Sequence, residues 1–187
     1  TSLTGYEGHD PYAPCTLADL KAKGYDYWAL GHIHKREALS DEPQIHFPGN
    51  IQGRHMGETG AKGCLLVDVT GDRAAVTFRE LDVMRWERIH LDAATLDEAL
   101  DAFERNAQAL RDEAGDRTLA LRVTVTGGPP LMAKYGGNPE GLRAELLNVA
   151  NGFDNVWIEK TSLRAKAVSD IPLDGPLEDI HAVFADI

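Results

Sequence analysis

Gly31-His32-Ile33-His34 sets two imidazoles one residue apart, directly after the apolar run at residues 25–30. In an extended chain, side chains at i and i+2 point the same way, so His32 and His34 are expected on one side. Gly31 lets the backbone turn where the strand ends, and in open α/β sheets ligand sites lie beyond the carboxyl ends of strands. Neutral imidazole ligates Zn, Fe, Mn or Ni, and neighbouring imidazoles can serve two cations held roughly 3.5–4 Å apart. The chemistry expected of the pair is metal binding. Two imidazoles do not complete such a site, because two cations also need bridging and terminal carboxylates. The plainer alternative is a polar strand end with no ligand.

The elements that must position these residues follow from spacing. Residues 25–30 are apolar enough to predict a strand in the middle of a sheet. Before them, Thr16 and Asp19 fill the N-cap and N3 slots of a capping box, and Gly24 ends the short helix they begin. The opening residues, with Gly5, Gly8, Pro11 and Pro14, are expected to be loop. After the histidines, residues 47–63 are rich in Gly and Pro. Residues 64–69 and 74–80 alternate about Thr-Gly-Asp-Arg, a hairpin pattern, and residues 83–91 add a strand.

The pattern changes at Thr95. Thr95 and Glu98 form a second capping box, followed by Leu96, Ala99, Leu100, Phe103, Ala107 and Leu110 at helical spacing, with Gly115 as the stop. Residues 119–126 alternate as a half-buried strand, Asn138-Pro139 opens another helix, and residues 156–159 make a further strand. The fold class is α/β. The expected division is residues 1–92, a small α/β unit at 93–168, and an acidic helical tail at 169–187.

Bulk properties bound the possibilities. A chain of 187 residues with 43% hydrophobic residues can bury one good core, or one plus a small second. No apolar run is long enough to span a membrane, and the first residues have neither a basic start nor an apolar stretch. Cys15 and Cys64 lack metal or redox spacing, so a cytoplasmic location is the default. A formal net charge of -11 excludes a general nucleic-acid coat protein. Residues 117–166 nevertheless hold seven basic residues against four acidic ones, inside an otherwise acidic chain. Trp28, Phe153 and Trp157 are expected in cores. Gly57-Glu58-Thr59-Gly60-Ala61-Lys62-Gly63 fails the spacing of a phosphate-binding P-loop, and a turn-rich connector is expected there.

The stretch "ALGHIH" resembles GHxH, the last metal motif of the calcineurin-like metallophosphoesterases. The longer series "HDPYAP", "YDYWALGHIHKRE" and "PGNIQGRHMGETGAKG" is similar to the SbcD-like DNA-repair exonucleases of that superfamily. The likeness is good over residues 1–91 and looser from Thr95 onward, where it corresponds to a capping domain. It implies the C-terminal strands of a metallophosphoesterase β-sandwich followed by a small α/β capping domain. It also implies two divalent metal ions, manganese first and iron or zinc as alternatives, with His32 on one and His34 on the other. DNA and an ATPase subunit are the implied partners, and an exposed sheet edge could also pair two chains.

The same resemblance sets residues 47–63 beside the metal edge. Arg54 and His55 would then touch a phosphate, Arg through its bidentate fork, and Glu58 would orient a neighbouring ligand. Tyr12 would stack on a base. Arg122, Lys134, Arg143, Lys160 and Arg164 would contact phosphates from the cap, although their spacing shows no common face.

The departures are plain. The family's earlier D-x-H, GDxxD and GNH motifs do not precede GHxH. Gly49-Asn50 is followed by Ile51, and Asp179-Ile180-His181 falls in an amphipathic stretch, as coincidence. A further family histidine would fall just before Thr1, with His9 as the other candidate. The chain is therefore expected to be a C-terminal portion of a longer phosphodiesterase, inactive alone, and no catalytic residue is assigned. Two rival readings are a non-catalytic interaction module and a metallophosphoesterase acting on another phosphoester.

Overall fold

The computed structural model describes residues 2–3, 13–71 and 73–166. His9, Tyr12, Asp179-Ile180-His181 and the acidic tail lie outside the described residues.

Short elements build the first unit: β1 (Ser2–Leu3), β2 (Pro14–Cys15), α1 (Leu17–Lys21), β3 (Tyr27–Ala29), β4 (Glu37–Asp41), β5 (Gln44–Phe47), β6 (Gly63–Thr70) and β7 (Arg73–Glu80). The capping box of α1 forms as its sequence predicts: Asp19 N–H donates to Thr16 Oγ1 at 3.1 Å and Thr16 N–H donates to Asp19 Oδ2 at 2.8 Å. The sheet order is β3-β5-β4. The central place expected for residues 25–30 belongs to β5, which pairs parallel with β3 and antiparallel with β4. Ile45 and Phe47 of β5 are fully buried with Leu20, Leu30 and Ile33, whereas Tyr25 is 60% exposed. Alternation explains the difference. One face of β5 carries Ile45 and Phe47, and the other carries Gln44 and His46, which keeps residues 44–47 from reading as an apolar run. β6 and β7 form the expected hairpin, with Thr70 opposite Arg73 and Gly71 at φ 64°. It lies against β5 and the turn before β4, where Gln44 Nε2 donates to Ala74 O at 2.7 Å and the Arg36 guanidinium sits 3.8 Å above the Phe78 ring.

The second unit is β8 (Met84–Ala93), α2 (Leu96–Ala114), β9 (Thr118–Gly127), α3 (Pro129–Tyr135), α4 (Pro139–Ala150) and β10 (Val156–Ala165). Its sheet is parallel in the order β10-β9-β8. α2 packs on β8, α4 on β10, and the two helices touch each other, so the helices cover one face. That face supplies Ile89, Leu91, Leu121, Val123, Val125 and Ile158 to a core filled from the helices by Phe103, Leu142 and Leu146. The sheet runs across the boundary expected near residues 92–94, because Ile89, Leu91 and Ala93 alternate in phase with β9. The strand expected to close the first unit is thus the outer strand of the second.

Glu87 shares this sheet. Burial raises its carboxyl above the ordinary value, Arg85 pulls it down, and Glu113 of α2 repels it. A carboxyl whose pKa is raised on folding favours the folded state while protonated, and this advantage is lost as pH rises through the raised value. Glu87→Gln should therefore raise Tm at pH 7. It should also flatten the decline in stability above the ordinary carboxylate range, measured by thermal melts across pH.

Candidate metal edge and its supporting loop

β3 ends at Ala29, and the next residue, Leu30, is buried with its N–H donating to His46 O at 2.8 Å. Ile33 is buried as well. Two apolar anchors three residues apart force the intervening backbone to fold back, and His32 takes φ 90°. That region is costly for a residue with a Cβ, and such outliers persist where the surroundings over-determine them. Both histidines follow the end of β3, so strand alternation does not govern where they point. Extended geometry, the ground for expecting a shared side, therefore does not apply to residues 32–34.

Partners hold His34 instead. Its Nδ1 lies 2.7 Å from Glu58 Oε1 and 3.0 Å from Arg54 Nη2. Nδ1 cannot serve both, because a carboxylate needs a donor and a guanidinium needs an acceptor. Glu58 decides the matter. Burial alone would raise its carboxyl, but hydrogen bonds from Arg54 N–H, His34 and the Arg54 guanidinium hold it at about 2. Glu58 is then an ionised acceptor that selects the Nδ1–H tautomer, and in the neutral ring of that tautomer Nε2 keeps its lone pair. This is the arrangement in which a carboxylate fixes the tautomer of a metal-binding histidine.

Glu58 is itself only 8% exposed and fully engaged. Its Oε2 accepts from Arg54 N–H and Asn50 Nδ2, each at 2.9 Å. The loop that carries it is tight at Gly53, where a Cβ would meet Glu58 O at 2.6 Å and Trp86 Cδ1 at 3.0 Å. The same loop is fastened to β8. Trp86 Nε1 donates to Gly53 O at 3.0 Å, Gln52 Nε2 to Met84 O at 2.7 Å, and Arg88 Nη2 to Met56 O at 2.6 Å. The second unit thereby supports the loop that orients His34. Nothing in the sequence pattern marks Gln52, Trp86 or Arg88 for this task.

His34, Arg54, His55 and Glu58 therefore come together, with His55 Nε2 3.9 Å from Glu58 Oε1. The side chains of Arg54 and His55 are 63% and 65% exposed, open to a ligand in solution. A cleft of about 280 Å³ adjoins them, lined by His34, Lys35, Gly57, Glu58, Thr59 and Lys62. Two larger clefts, of about 490 and 520 Å³, lie along β4, β5 and the hairpin, away from this cluster. Among the described residues no three His, Cys, Asp or Glu side chains are arranged to hold a metal ion. His34, held with Nε2 available, fits the role of one imidazole donor; the carboxylates that a two-metal site requires are not supplied by the described residues.

The cations expected on the cap divide between two faces. Arg122, Lys160 and Arg164 stand in register on the sheet, whereas Lys134 is on α3 and Arg143 on α4. Phe153 packs on the core as expected, but Trp157 does not: it is 52% exposed, because it faces the side of the sheet that the helices leave open.

Comparison with known proteins bears on this arrangement. Residues 86–166 match the family model described as the middle domain of metallophosphoesterase YhaO. The chain is also 51% identical over 133 residues, 69% of its length, to a protein of Bacillus subtilis (strain 168) named uncharacterized metallophosphoesterase YhaO. It spans about a third, 32%, of that relative. No helix among the described residues is long and apolar enough to cross a membrane.

Proposed function

We propose that this chain, similar over most of its length to a YhaO metallophosphoesterase, is part of a two-metal phosphodiesterase that hydrolyses DNA. The observation that carries the reading is the 2.7 Å bond from His34 to the buried, ionised Glu58, which leaves Nε2 as the coordinating atom. His32, strained in the bend beyond β3, is the second imidazole. Manganese is the first expectation for the ions, with iron or zinc as alternatives; when bound, they would supply an activated water and charge stabilisation at phosphorus. This chain's own residues do the holding. Glu58 fixes the imidazole, while the exposed Arg54 guanidinium offers donors in fork geometry to a phosphate beside His34. His55 adds a third polar group at the same edge.

The name of the Bacillus relative specifies a phosphoesterase and no substrate. DNA, and exonuclease action in repair, rest on the likeness of "ALGHIH" and the following loop to the SbcD-like enzymes. An ATPase partner subunit, pairing of two chains and a cytoplasmic location belong to the same proposal.

The test is manganese-dependent hydrolysis of linear DNA by the full-length protein beside His34→Ala. Activity that the substitution abolishes supports the reading. Equal activity in the variant would remove His34 from the site, and cleavage of small phosphodiesters but never DNA would change the substrate.

A further inference from the structure

The open face of the β10-β9-β8 sheet carries a pattern that hydrolysis does not use. Register places Trp157, Ala120 and Trp86 in one row across the strands, Lys160, Arg122 and Arg88 in the next, and Ser162, Thr124 and His90 in the third. A fourth row holds Arg164, Thr126 and Asp92. The shift in register between Ile158 and Lys160 makes these rows possible. Glu159 is the extra residue of a bulge, so Lys160, Ser162 and Arg164 share Trp157's face, while Thr161 and Leu163 pair with the inward Val123 and Val125. Four cations thus meet two carboxylates on this face of an otherwise acidic chain. Arg122 is tied bidentately to Glu159 at 2.8 Å through both contacts, and Arg88 holds the loop at Met56. Lys160 and Arg164 are exposed, and Lys160 adds to Arg122 in holding the Glu159 carboxyl below its ordinary value.

We propose that this face binds single-stranded nucleic acid, with Trp157 as a stacking platform and Lys160 and Arg164 as phosphate contacts. Exposed aromatic and basic residues on a flat sheet fit splayed bases, since every base offers a π-face and the backbone follows the cations. A duplex hides its base faces from Trp157, and an acidic peptide gives that ring no planar group to stack on. The platform ends at Trp86, whose indole is fastened to Gly53 of the loop that orients His34, so a bound strand would lead toward the metal edge. The use of the surface in hydrolysis rests on the nuclease reading above, but binding itself does not.

The experiment is fluorescence anisotropy of a labelled oligothymidylate with the full-length protein in EDTA, so that cleavage does not enter the result. Binding should weaken with salt, and Trp157→Ala should loosen it roughly tenfold. Trp157→Phe, which keeps an aromatic face, should retain most of the affinity and separates stacking from a folding defect. Lys160→Gln with Arg164→Gln should reduce the slope of log K against log salt by about 1.4. Equal or tighter binding of a duplex of the same length, equal binding of polyglutamate, or full affinity in Trp157→Ala would overturn the proposal. Metal-free binding with this profile in a protein that never cleaves DNA would support the platform and sink the nuclease reading instead.

Discussion

Asp82→Ala should cost about 3–5 kcal/mol of folding stability, the range for stranding the partner of a buried charge. The Asp82 carboxylate is wholly inaccessible and the Arg85 side chain is 7% exposed. Arg85 Nε donates to Asp82 Oδ2 at 2.9 Å and Nη2 to Oδ1 at 3.2 Å, while Nη2 also reaches Glu80 Oε2 at 2.8 Å. Arg117 joins from the start of β9, its Nε donating to Asp82 O at 2.8 Å and to Oδ1 at 3.1 Å. The guanidinium of Arg85 is driven further into its charged state, first by the bond to Asp82. Removing this carboxylate leaves two guanidinium groups facing a void, with Glu80 as the remaining acid. Asp82→Asn should cost less, because an amide oxygen still accepts one bond. Urea unfolding followed by tryptophan fluorescence measures both, and a loss below about 1 kcal/mol for the alanine variant would show that water replaces the carboxylate. The joint lies where the hairpin passes into β8, so it also sets the strand on which the Gly53 loop is fastened. A variant that folds but loosens here should lose alignment of His34 as well.

Local rules were legible wherever the chain obeys them alone. Thr16 and Asp19 cap α1 as their spacing requires, and β9 alternates as Leu119, Leu121, Val123 and Val125 promise. At α2 the cap departs slightly: Thr95 Oγ1 accepts from Glu98 N–H, but Glu98 Oε2 accepts from Ala94 rather than from Thr95. α3 was hidden because Pro129 and Pro130 punctuate loops, although proline equally suits a first helical turn. The length of β10 was hidden by its bulge, which interrupts the alternation between Ile158 and Lys160. Trp157 was assigned to a core because large aromatics usually belong there, and the missing fact was which face the helices cover. Pairing of distant strands decides that fact, not the residues themselves. The histidine pair is visible in the sequence, but its geometry is not: the φ of His32 follows from the anchoring of Leu30 and Ile33 in a core that β5 completes.

Glu58→Gln should weaken manganese binding by the full-length protein roughly tenfold, with Glu58→Leu nearer a hundredfold, the span measured for groups that orient metal ligands. Glutamine keeps one acceptor oxygen, which can take the Oε1 place facing His34 Nδ1 or the Oε2 place facing Arg54 N–H and Asn50 Nδ2, while its amide N–H₂ faces the other. What it removes is the charge that holds one tautomer of the imidazole. Leucine removes the acceptors too, stranding the Arg54 N–H and Asn50 Nδ2, both of which use Glu58 Oε2. Two readouts separate this positioning role from a merely structural one. Titration with manganese gives Kd, and ¹⁵N chemical shifts of the His34 ring report whether Nδ1 or Nε2 bears the proton in the metal-free protein. The wild type should show Nδ1 protonated, the glutamine variant a shift toward the Nε2–H tautomer wherever its amide N–H₂ faces Nδ1, and the leucine variant no bias set by this side chain. Wild-type manganese affinity in Glu58→Gln, with the His34 ring shifts unmoved in both variants, would mean that the 2.7 Å contact tethers the loop and nothing more. A loss of affinity that tracks the loss of tautomer would instead make the buried carboxylate, set in place by Gly53 and the strand beneath it, the reason the second imidazole of the pair can bind a metal at all.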